Sequence, residues 1–173
     1  VSQTRRDYFG LMKMLESNES NSIKENITWD FLGGIPIEGQ ADEIVKRAKD
    51  LIAKGYKIIL YEKNSVSLNE FDEQLNKADL ILGNLMIDHG AKSTYGKSME
   101  SGLPFSMIKK AKPCLMIKGY NYPINLQSSV VEYSDNNDLK RILEGLASDK
   151  KLVENLKKAA FMNSMQYEVN TIY

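Results

Sequence analysis

Asp79-Leu80-Ile81-Leu82-Gly83-Asn84 reads as a strand with an unbroken apolar centre. Tyr56-Lys57-Ile58-Ile59-Leu60-Tyr61 has the same character. Continuous apolar runs of this length belong to sheets covered on both faces, which are mostly parallel. A helix-like stretch lies between the two runs. Ser67 is placed to cap it, Glu70 follows three residues on, and Phe71 and Leu75 supply its apolar side. Strand, helix and strand in this order make one crossover unit of a parallel sheet.

The alternation continues outward in both directions. Upstream, Ile44, Val45, Ala48, Leu51 and Ile52 recur at helical spacing, and Gly55 closes that helix. Ile27, Trp29, Phe31 and Leu32 form an earlier strand, stopped by Gly33-Gly34. Tyr8, Leu11, Met12 and Leu15 predict a first helix over about 4–17, with a polar loop over 18–25. Downstream come a long loop over 84–101, a helix over 103–112 and a strand over Cys114–Ile117. A loop over 118–128, a strand at Val130-Val131, and two helices over about 136–147 and 149–168 complete the chain. The pattern predicts an α/β fold, a Rossmann-like three-layer αβα sandwich with a mainly parallel sheet. Residues 1–173 are expected to form a single domain.

Composition narrows the function. Twenty-three basic residues balance 23 acidic ones, which argues against a dedicated nucleic-acid binder. No apolar run approaches the ~20 residues of a membrane-spanning helix. The one cysteine, Cys114, sits in an apolar run and reads as core. With a single histidine, His89, and neither CxxC nor HExxH, no metal site is expected. The chain opens on Val1 rather than Met, with no signal-peptide pattern, and reads as an engineered boundary or a processed end.

Ligands of such folds sit at the carboxyl ends of the strands. There the chain carries Gly33-Gly34, Glu62 to Val66, Asn84 to Gly102, and Lys118 to Ser128. It has no GxGxxG dinucleotide fingerprint. Gly96-Lys97-Ser98 is not a P-loop either, because Ala91 stands where the first glycine is needed. The stretch Tyr95-Gly96-Lys97-Ser98-Met99-Glu100-Ser101-Gly102-Leu103-Pro104 gathers hydroxyls, a lysine and a glycine where a helix begins. Free N–H groups and the positive end of the dipole make such a start a natural anion site. Arg5-Arg6, at the start of the first helix, adds guanidinium groups suited to phosphate oxygens. Taken singly, each feature also has an ordinary reading: a loop closed by a helix cap, a solvated helix face, a strand-ending turn.

Nearly the whole chain resembles the C-terminal, donor-binding domain of GT-B fold glycosyltransferases, as a divergent relative of the retaining group 1 / family 4 enzymes. Thr4-Arg5-Arg6-Asp7-Tyr8 resembles the region after that domain's first strand, and Asp30-Phe31-Leu32-Gly33-Gly34 its second strand with a terminal glycine. Ala78-Asp79-Leu80-Ile81-Leu82 resembles the family's alanine-aspartate-strand pattern. Ser101-Gly102-Leu103-Pro104-Phe105 to Lys112-Pro113-Cys114 resembles its donor helix and the strand after it. Ser98 and Ser106 stand where the family often has two glutamates, with Glu100 nearby but out of register.

The resemblance implies binding of a nucleoside-diphosphate sugar as donor substrate, without a metal or other cofactor. Arg5, Arg6 and Lys97 would meet the diphosphate, and Ser98, Glu100, Ser101, Gly102 and Leu103 would surround it. Gly33 and Gly34 would allow close approach, and the turn from Glu62 to Val66 would border the base. It implies transfer to a glycan or lipid-linked acceptor held by an N-terminal domain that this chain lacks, in bacterial surface polysaccharide synthesis. The location implied is cytoplasmic, at the inner face of the membrane if the full-length protein associates peripherally with it. Two other readings stay open: a non-enzymatic flavodoxin-like binding or signalling module, and a GT-B-like sugar-nucleotide epimerase.

Overall fold

The computed structural model describes residues 6–33, 40–61, 65–87 and 101–168. The chain divides into two compact units. One takes the chain up to Lys77 together with Asn136–Ser148, the other Ala78–Asp135 and the chain from Asp149 on. The described strands pair only in parallel, in a two-stranded and a three-stranded sheet. The α/β class and the Rossmann-like alternation of strands and helices expected from the sequence are what the structure has.

The first unit is built around strands β1 (Thr28–Phe31) and β2 (Lys57–Leu60), in register from Thr28 opposite Lys57 to Phe31 opposite Leu60. Helix α3 (Gln40–Ala53) makes the crossover between them and ends before Gly55, whose φ of 94° suits glycine. Helix α1 (Tyr8–Glu16) buries Leu11, Met12, Met14 and Leu15. It starts four residues later than the predicted boundary, because the Asp7 carboxylate caps it by accepting from the Gly10 N–H at 2.8 Å. Helix α4 (Leu68–Lys77) starts at the expected cap, with the Glu70 N–H donating to Ser67 Oγ at 3.3 Å.

Where a loop was expected, the structure has the short helix α2 (Asn21–Asn26). Only Ile23 of that helix is fully buried, too little for a periodic signal. Its entry is fixed by Asn18, whose amide donates to the Ser20 carbonyl and to Tyr56 Oη, while Tyr56 Oη donates to the Leu15 carbonyl. Strand β2 also departs from the double burial its apolar run suggested, since Ile59 is 43% exposed. Helix α6 (Asn136–Ser148) belongs to this unit although it follows the last strand. It buries Leu139, Leu143 and Leu146, and Asn136 reaches Asp7 Oδ2 at 3.5 Å.

The second unit holds β3 (Ile81–Gly83), β4 (Cys114–Ile117) and β5 (Val130–Tyr133) in the order β3-β4-β5. Helix α5 (Leu103–Lys110) connects β3 to β4. The connection from β4 to β5 contains a 3-10 helix, Ile124–Ser129, in a stretch expected to be irregular. Buried Leu126 and the Ser129 hydroxyl, which donates to the Leu126 carbonyl at 2.9 Å, hold it. Strand β3, expected like β2 to be covered on both faces, is only half-buried at Ile81 and Leu82, whereas central β4 has Cys114, Leu115 and Met116 all inside. Helix α7 (Lys150–Met165), capped by Asp149, packs on the 3-10 helix and on α5. Asn163 ties it down through Ser128 and Ser129. Among the described residues no helix is long and apolar enough to cross a membrane.

Candidate functional site

The candidate site lies in the second unit, where α5 begins beyond the end of β3. Leu103, the first residue of α5, is buried with Leu85, Met107, Cys114, Met116, Tyr120 and Leu126. Gly83, the last residue of β3, makes this seating fit. A Cβ on Gly83 would come within 2.8 Å of Met116 Sδ and 3.0 Å of Leu103 Cδ1. The glycine therefore lets the helix start close above the sheet, the role small residues play where elements approach tightly.

Ser101 and Gly102 precede this anchor. The Ser101 hydroxyl accepts from the Leu103 N–H at 3.1 Å. The Ser101 N–H donates to Tyr120 Oη at 3.3 Å. Tyr120 is buried and follows Gly119, whose φ of 93° makes the turn after β4. The phenol thus fixes the backbone just before α5 from the end of the neighbouring strand. Among the described residues, a Cβ on Gly102 would meet nothing within 4 Å. Pro104 lies in the first turn and brings no N–H, and no acidic residue lies in that turn. With the Leu103 N–H already engaged, an incoming anion would meet the dipole end and the Ser101 hydroxyl rather than a ring of free amides.

The residues expected to meet the diphosphate fall into three groups. Ser101, Gly102 and Leu103 are brought together at the α5 start. Arg6 and Gly33 are in the first unit, Arg6 immediately before the Asp7 cap of α1 and Gly33 in a bend after β1. Arg5, Gly34, Lys97, Ser98 and Glu100 lie outside the described residues, as do Glu62 to Asn64 of the turn expected to border the base.

Two residues at this edge were not singled out from the sequence. Tyr120 is one, because its contact with Ser101 spans 19 positions and leaves no local pattern. Asn84 is the other. It is buried at the end of β3, and its side-chain Nδ2 has no partner among the described residues.

In the first unit, Tyr61 Oη donates to Asp30 Oδ2 at 3.1 Å, at the carboxyl side of β2. Burial raises the Asp30 carboxyl above the usual range, against the pull of Tyr61 and of Lys77. Burial, helped by the Asp30 charge, pushes Tyr61 up to about 12. Both shifts favour the uncharged forms. Among the described residues, no group of three or more His, Cys, Asp or Glu is placed to hold a metal ion.

Compared with known proteins, the chain matches no family model, no curated protein and no solved structure.

Proposed function

We propose that this chain is a sugar-nucleotide-binding domain of a glycosyltransferase, one that moves a sugar from a nucleoside-diphosphate donor to a glycan or lipid-linked acceptor in bacterial polysaccharide synthesis. The observation that carries the reading is the start of α5 beyond β3, with the Ser101 hydroxyl accepting from the Leu103 N–H, no acidic residue in its first turn and, among the described residues, no atom within 4 Å of where a Gly102 Cβ would stand. Anions favour such starts. The resemblance of Ser101-Gly102-Leu103-Pro104 and the following strand to the donor helix of GT-B enzymes gives the anion its identity as a diphosphate. On this reading the domain binds the donor on the cytoplasmic side of the membrane, and transfer needs a further domain to hold the acceptor. Lys97 would add positive charge.

The test is thermal unfolding with UDP, GDP, ADP or CDP at millimolar concentration. A ligand that binds only the folded state stabilises it by RT ln(1 + [L]/Kd) and so raises the midpoint as its concentration exceeds Kd. One of the four should stabilise the protein more than inorganic phosphate does. No shift with any of them would reject the reading. Lys97→Ala should reduce the shift more at low salt than at high salt, as an exposed charge contact requires.

A further inference from the structure

We draw no further inference here: the strongest candidate, the exposed Phe161 and Met162 on α7 beside Lys157 and Lys158, has one of its two flanking lysines already paired with Asp79 and Glu154, and nothing in the structure shows what covers it.

Discussion

Helix α1 begins behind a carboxylate, whereas α5 begins behind a hydroxyl. Both starts carry the positive end of a helix dipole, and both were expected to meet the same diphosphate. At α1 the Asp7 side chain already accepts from the Gly10 N–H and lies within reach of Asn136. A phosphate there would face a fixed negative charge. Two like charges about 4 Å apart near a protein surface repel by roughly 4 kcal/mol, against about 0.3–1 kcal/mol that a helix start typically returns. At α5 the cap is neutral, so the same dipole is not opposed by the group that caps it. A helix N-terminus is therefore an anion site only when its own cap leaves the charge balance open.

The largest effect should come from the anchor of the α5 start. Leu103→Ala removes a buried side chain from the core and should lower unfolding stability in urea by about 2–5 kcal/mol. A loss below about 1 kcal/mol would mean that the start of α5 is held some other way. Gly83→Ala places a methyl against Met116 and Leu103 and should cost about 1–3 kcal/mol. If it is neutral, the close seating of α5 on β3 is not what the structure indicates.

The caps themselves come next. Asp7→Ala should cost about 1 kcal/mol, and Asp7→Asn much less, because asparagine also caps well. Ser101→Ala should cost no more than Asp7→Ala, yet weaken nucleotide-dependent stabilisation, which the Asp7 variants should leave intact. The reverse pattern would exchange the roles assigned to the two helix starts.

The smallest effect is alkaline. Burial pushes Tyr8, the first residue of α1, up to about 12, with Arg6 pulling in the opposite direction. A phenol with a folded pKa raised above its unfolded value of roughly 10 gives stability that is complete below pH ~10. That contribution is lost as the pH rises through the folded value. Tyr8→Phe should therefore flatten the decline in stability between about pH 10 and 12. Arg6→Ala should move phenolate formation at Tyr8 still higher, read by its absorbance. No change would mean that Arg6 does not act on the first turn of α1.

Much of this fold is written in local patterns. Cys114–Ile117 was predicted at its observed bounds, and the helix expected over about 136–147 is α6. Burial was less legible, since Ile58-Ile59-Leu60 and Cys114-Leu115-Met116 are both apolar runs. Only the second lies in the middle of three strands, and neighbours rather than residue type decide which run is covered. Helix α2 escaped detection because one buried isoleucine sets no period. At the site, the Ser101-Gly102-Leu103-Pro104 start was readable from its capping residues. The Tyr120 contact and the Gly83 seating were not, because both depend on residues that only the fold brings together. The assignment of α6 to the first unit was equally hidden, since it rests on distant partners such as Asp7.

The most direct test follows backbone amide shifts by NMR while the stabilising nucleoside diphosphate is added. The Gly102 and Leu103 amides at the α5 start should shift with saturation, and the Gly10 amide behind the Asp7 carboxylate should stay in place. Shifts at Gly10 without shifts at Gly102 and Leu103, or no shift at either start, would contradict the assignment of the diphosphate to α5.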